Sequence, residues 1–217
     1  MPVTRQYLKF VEAGPPFGVI GSANGKVAFL PATDSSQATH LASCACENVL
    51  IWNLKTGATV RHLPGLKSQV TSLDVQGDQV AAGHADGSVR LFDHKSADLK
   101  VTFSGHKSAV TTMKFDPKGM KFASGGKDTE IVLWDVVSES GIFRLRGHKH
   151  QVTQLVFMAN LNVLVSSSRD TFVKFWDLDT QHCFKTLLGH RSEVWGLTIL
   201  NDQLLFTGAE DAQVKIE

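Results

Sequence analysis

Cysteine, charge of one sign and long apolar runs are all scarce in this chain, and each scarcity excludes something. The three cysteines, Cys44, Cys46 and Cys183, are odd in number and form no paired framework. A disulfide-stapled secreted scaffold needs more of them, and a structural zinc site needs four ligands at a recognisable spacing. Buried, reduced thiols are therefore expected, with Cys44 and Cys46 on one side of a strand because side chains alternate. The most apolar stretch, Leu155 to Val165, is broken by Asn160 and Asn162 and is far shorter than a membrane span. Residues Met1 to Phe10 lack the apolar centre of a signal peptide. The 22 Lys and Arg nearly balance the 21 Asp and Glu, leaving +1, so overall charge carries no strong nucleic-acid or membrane footprint. A hydrophobic fraction of 42% and a charged fraction of 20% describe a globular chain rather than a disordered one.

What is present is a repeat. Gly-His pairs stand at Gly105-His106, Gly147-His148 and Gly189-His190. Aromatic-acid pairs stand at Phe92-Asp93, Trp134-Asp135 and Trp176-Asp177, with Trp52-Asn53 as a weaker first copy. The step between these pairs is 40 residues once and 42 thereafter. That period, with Gly-His opening a copy and Trp-Asp near its end, marks propeller blades of four strands each. In the copy over 105–146, short apolar runs alternate with turns such as Asp116-Pro117-Lys118-Gly119 and Gly125-Gly126-Lys127-Asp128, which is the pattern of an antiparallel meander. The reading predicts an all-β fold: an N-terminal segment over 1–16, then blades at about 17–63, 64–104, 105–146 and 147–188, and a partial fifth over 189–217. The first copy is irregular and carries a polar insert, Thr33 to Thr39.

Four positions recur together within a copy. They are His106, Ser124, Asp128 and Trp134 in the third, and His148, Ser166, Asp170 and Trp176 in the fourth. The last copy offers His190, Thr207 and Asp211, with Glu217 where the Trp belongs. Asp lies six residues before Trp and Ser ten before it. A buried relay explains the set: Asp accepts from His, His bonds the Ser hydroxyl, and the indole N–H gains an acceptor. Leaving any of them buried and unpaired costs roughly 1–3 kcal/mol. Ser, His and Asp also suggest a hydrolase triad. An enzyme needs one such site, however, not one in every copy, and no Gly-x-Ser-x-Gly nucleophile turn is present. The residues read as structural, with no catalytic, metal or cofactor site. The second copy departs from the pattern, with Leu66 at the His and Ala82 at the Ser position, and Cys46 stands at the Asp position of the first. The first two blades are therefore expected to rest on apolar packing.

Each Gly-His is followed by a base: Lys107, Lys149 and Arg191. Solvated loop charge is the plain reading. The sharper one is a basic arc on one face, joined by Arg144, Arg146 and His150, that meets an acidic partner or an RNA backbone.

The strings Glu47 to Leu54, Ser124 to Thr129 and Trp134-Asp135-Val136 resemble the WD-repeat family of β-propellers. Longer strings, Gln6 to Leu8, Phe17 to Ser22, Val173 to Thr186 and Gly189 to Leu197, are similar to one branch of it. That branch is the WD repeat-containing protein three family, much longer scaffold subunits of the small-subunit processome. The resemblance implies a non-enzymatic scaffold in pre-ribosomal RNA processing and 40S ribosome biogenesis. It also implies a nucleolar location, processome proteins as partners, and pre-ribosomal or small nucleolar RNA within the complex. It implies no cofactor, membrane or small-molecule substrate. A generic WD-repeat adaptor, for example in ubiquitin-ligase substrate recruitment, is the alternative. Propellers usually close with 4–8 blades, so a ring halting in its fifth copy is expected to be open: a fragment, a truncated product or part of a larger assembly.

Overall fold

The computed structural model describes residues 22, 25–31, 40–65, 67–158, 160–211 and 214–216. The segment 1–16, the insert Thr33 to Thr39, Leu66 and Glu217 lie outside the described residues. Among the described residues there is no α-helix, and nineteen strands form five antiparallel sheets. The first sheet holds β1 (Val27–Phe29), β2 (His40–Ala45), β3 (Asn48–Asn53) and β4 (Ala58–Leu63). The second holds β5 (Val70–Gln76), β6 (Gln79–His84), β7 (Ser88–Asp93) and β8 (Leu99–Ser104). The third holds β9 (Val110–Phe115), β10 (Lys121–Gly126), β11 (Ile131–Asp135) and β12 (Ser140–Leu145). The fourth holds β13 (Val152–Met158), β14 (Val163–Ser168), β15 (Phe172–Asp177) and β16 (His182–Leu188). The fifth has β17 (Val194–Leu200), β18 (Leu204–Ala209) and β19 (Val214–Ile216). Strands pair in sequence order within every sheet, so each sheet is a meander and the whole is an open WD-repeat propeller of four full blades and a partial fifth.

The strand order follows from local chemistry. Apolar and β-branched residues concentrate in the second and third strands, which are buried along most of their length, as in Lys121–Gly126 and Ile131–Asp135. The fourth strands are mostly exposed and carry polar residues, as in Ala58–Leu63 and Ser140–Leu145. The first strands β5, β9, β13 and β17 pack side by side from blade to blade and so line the axis. Turns between second and third strands need a left-handed residue: Gly87 at φ 87°, Thr129 at 70° and Thr171 at 73°. Glycine is required in the second blade, because a Cβ at Gly87 would lie 2.5 Å from the His106 carbonyl oxygen. The two threonines hold an unfavourable conformation for a β-branched residue, each directly after a relay aspartate.

The core lies between blades rather than inside them. One cluster joins Leu63 and Ile51 of the first blade to Val80 and Phe92 of the second. The next joins Leu91 and Phe103 to Phe122 and Trp134, and a third joins Leu133 and Leu145 to Leu164 and Trp176. The last joins Val165 and Val173 to Val194 and Leu205. Burying each such side chain contributes roughly 1.5–3 kcal/mol.

Two β-bulges recur. One lies in the fourth strand, opposite the step into the Trp position, and leaves Val60, Lys100, Ile142 and Phe184 out of register. The other lies in the first strand and leaves one residue out of register: Thr71, Thr111, Thr153 and Trp195. A bulge re-aims the side chain it frees.

Candidate functional site: the polar relays and the basic face

In the third blade the four recurring side chains meet. The indole Nε1 of Trp134 donates to Ser124 Oγ at 2.7 Å, and Ser124 Oγ lies 2.8 Å from His106 Nε2. His106 Nδ1 is 3.0 Å from both carboxylate oxygens of Asp128. A carboxylate only accepts, so Nδ1 donates. Nε2 of a neutral ring then accepts the seryl proton. The backbone N–H of Lys107 adds a 2.8 Å bond to Asp128 Oδ2, so the aspartate ties the incoming loop to its own hairpin. Ser124 is fully buried and His106 is buried. Gly126 makes room for the two-oxygen contact, since a Cβ there would stand 2.3 Å from Asp128 and 2.7 Å from His106. Gly105 lets the loop pass over the indole, where a Cβ would approach Trp134 to 2.5 Å.

The fourth blade repeats the arrangement. Trp176 Nε1 donates to Ser166 Oγ at 2.7 Å, Ser166 Oγ is 2.7 Å from His148 Nε2, and His148 Nδ1 is 2.8 Å from Asp170. Burial alone would raise the Asp170 carboxyl, but hydrogen bonds from His148 and the Lys149 N–H outweigh it and hold the group down at about 2. Ser168 stands where the third blade has Gly126, and its Oγ accepts from the Asp170 N–H. In the fifth blade His190 lies 2.8 Å from Thr207 Oγ1 and 3.3 Å from Asp211, and the Arg191 N–H donates to Asp211 at 3.1 Å.

The first blade corrects the expectation of purely apolar packing. Trp52 Nε1 donates to Ser43 Oγ at 2.9 Å. The two residues are nine apart rather than ten because the β2–β3 turn is shorter. That turn also moves Cys46 out of the strand, to φ 53° and into solvent, while Cys44 in β2 is buried. The two thiols do not share a face, and Cys183 is exposed as well, so only one of the three cysteines is a buried thiol. Burial pushes the Cys44 thiol up to about 12, against the pull of the Lys26 carbonyl hydrogen bond and the nearby ammonium. In the second blade Ala82 lies where the Ser would be, and Phe92 replaces the Trp. His84 occupies the strand position held by Gly126 in the next blade. It is fully buried, and neither ring nitrogen has a hydrogen-bond partner among the described residues. Burial, then Arg90, push its imidazole down to about 4, against Asp86.

A further recurring contact joins the blades, and the sequence reading missed it. Each bulged threonine donates its hydroxyl to the carbonyl of the valine just before the next blade's bulge. Thr71 donates to Val110 and Thr153 to Val194, each at 2.5 Å, and Thr111 donates to Val152. The signal was available as Val70-Thr71, Val110-Thr111 and Val152-Thr153, broken at Val194-Trp195.

Lys107, Lys149 and Arg191 are exposed in the loops that join the outer strand of one blade to the inner strand of the next. Topology places these three loops at one end of the blades. Arg144 and Arg146, added to the arc from sequence, are instead committed to Glu130 at 2.7 and 2.8 Å.

Comparison with known proteins decides the family. The chain matches the family described as WDR3 first beta-propeller domain over residues 39–216.

The chain belongs to the WDR3 first β-propeller family.

Human WD repeat-containing protein 3 is 48% identical over 94 residues, covering 42% of this chain and 10% of the human protein. U3 small nucleolar RNA-associated protein 12 of Saccharomyces cerevisiae is 36% identical over 132 residues, 52% of this chain and 14% of that protein. The Dictyostelium discoideum WD repeat-containing protein 3 homolog is 37% identical over 112 residues, 50% of this chain and 11% of its own length. The matched stretches therefore span only a small part of these relatives. Membership in the WDR3 propeller family accords with the WD-repeat resemblance of the Trp-Asp and Gly-His strings.

Proposed function

We propose that this chain is a non-enzymatic scaffold of the nucleolar small-subunit processome, acting in pre-ribosomal RNA processing and 40S ribosome biogenesis. The family match over residues 39–216 carries the reading, and the name of the yeast relative, which couples it to U3 small nucleolar RNA, supports it. The relays serve as internal braces. The hydroxyls of Ser124 and Ser166 are fully buried and already engaged by an indole and an imidazole, so neither is placed to attack a substrate. The partner-facing surface is the arc of Lys107, Lys149 and Arg191, which meets acidic protein surface or the RNA backbone. Affinity purification of the tagged protein from cells tests the assignment: U3 small nucleolar RNA and pre-ribosomal proteins should co-purify. Recovery of ubiquitin-ligase subunits in their place would favour the adaptor role. Reversal of all three arc charges should weaken that recovery while leaving the melting transition in place, and unchanged recovery would remove the arc from the interface.

A further inference from the structure

A second cationic feature lies on the axis rather than on the rim. Lys26, just before β1, crosses the space enclosed by the first strands. Its Nζ lies 3.0 Å from Thr112 Oγ1 in the third blade and 3.4 Å from Gln154 Oε1 in the fourth. Both partners are neutral, and among the described residues Lys26 has no ion pair. Burial lowers the ammonium to about 8, helped by Lys114 and opposed by Asp74 and Cys44, so it keeps its proton at neutral pH. A cavity of about 370 Å³ opens beside it, at the end of the blades that carries the second-to-third-strand turns. Lys127 and Arg169 from two such turns line it, with Gln151, Gln154 and Trp195. No Asp or Glu lines it among the described residues. Arg169 gives Nη2 to Glu193 and stacks 5.6 Å from the Trp195 ring centroid, but its Nε is buried without an acceptor. Lys127 is exposed and forms no ion pair with a described residue. A larger hollow of about 670 Å³ lies next to it, but Glu193 and Glu210 line that one, so its charge is mixed.

We propose that the axial cavity receives the carboxylate side chain of an acidic peptide from a partner protein. Three cations from the first, third and fourth blades converge on it, two glutamine amides supply neutral donors, and one buried guanidinium N–H lacks an acceptor. The volume suits a few side chains, not a nucleotide strand. A phosphodiester backbone spreads its charge along a line and is better met by the exposed arc than by a pit on the axis. Trp195 at the rim offers an apolar face for the residue beside the acid. The proposal does not depend on the processome assignment.

Trp195 is also the probe. It is 48% exposed, whereas Trp52, Trp134 and Trp176 are exposed by 6% or less, so a ligand at the rim changes the emission of one indole. The whole 217-residue chain is titrated with an acetylated peptide of alternating Glu and Ala, with its Gln counterpart, with oligouridylate and with inorganic phosphate. Calorimetry and fluorescence are read together. The Glu peptide should bind and shift the emission, and the Gln peptide should not. K127E should weaken the Glu peptide by about tenfold or more, since one close charge pair is lost and a repulsion added. K26M should weaken it too. The Lys127 N–H bonds the Ala109 carbonyl, but its side chain forms no ion pair with a described residue, so K127E is the variant that keeps its melting transition. Equal binding of the two peptides, no binding of either, or Glu-peptide affinity unchanged in K127E would overturn the proposal. So would oligouridylate or phosphate that binds more tightly than the Glu peptide and loses affinity in K127E.

Discussion

Trp134 and Ser124 are joined across neighbouring strands by an indole N–H bond of 2.7 Å, and Trp176 and Ser166 repeat that bond at the same length one blade later. The indole of Trp134 also packs 5.2 Å from Phe103 of the preceding blade, so one ring serves both the polar relay and the apolar seam. Trp134→Ala should cost about 3–5 kcal/mol in urea unfolding, from a cavity plus the lost bond. Ser124→Ala should cost about 1–3 kcal/mol, because it leaves the indole N–H and the imidazole nitrogen buried and unpaired. Coupling in the double mutant should be large, since the residues touch. Additive effects would show that the two do not act together.

The bulged threonines make a milder prediction. Thr111→Val keeps the shape and removes the hydroxyl that bonds Val152 of the next blade and Gly125 of its own. Stability should fall by roughly 1–2 kcal/mol, with Thr111→Ser recovering most of it. An unaltered denaturation midpoint in Thr111→Val would mean that the staple contributes nothing.

Acid should act through the second blade first. The unfolded chain takes up a proton at the ordinary histidine value near 6.5, whereas buried His84 resists until about 4. The unfolded state binds more protons between these values, so stability is intact above 6.5 and declines as pH falls toward 4, by about 3 kcal/mol from this residue. His84→Phe should flatten the dependence of the urea midpoint on pH in that window. A slope identical to wild type would locate the acid sensitivity elsewhere. Asp170, held near 2, contributes stability that is present above about 4 and is lost only below that, as pH falls toward 2.

The cysteines should separate cleanly. In the folded chain two thiols, Cys46 and Cys183, are open to a maleimide at pH 7.5 and should react within minutes. Cys44 is buried with its thiol pushed up to about 12 and should react only after denaturation. Mass spectrometry showing three modifications under native conditions would contradict the burial of Cys44.

The blades could be read from spacing because equivalent positions share identical chemistry. His106, Ser124, Asp128 and Trp134 recur at fixed intervals, and each interval is set by a hairpin of fixed length. The Trp52–Ser43 bond escaped the same rule because its hairpin is shorter, which moves Ser one place along the strand. His84 was opaque for another reason: the imidazole sits at the strand position held by Gly126 in the next blade, so a comparison of loop histidines could not find it. The threonine staples were hidden by commonness, since Val-Thr fits any strand and only the bulge gives it a purpose. The axial cavity left only a partial trace in spacing. Lys127 and Arg169 stand 42 residues apart, each just before a relay aspartate, but Lys26 has no counterpart at that interval, and only the packing of the first strands around the axis brings it to them.

The placement of the core between blades also governs how the chain opens. Phe122 and Trp134 lie in a cluster with residues of the preceding blade, while Leu133 and Leu145 of the same sheet lie in a cluster with the following one. A single blade therefore encloses no interior of its own. Amide protons should not exchange blade by blade with independent rates. Protection should be set by seams, falling on both sides of a broken one and deepest where a sheet is flanked by two intact neighbours. The second, third and fourth blades, each between two such seams, would then be the slowest region to exchange and the natural seed from which the outer two are held.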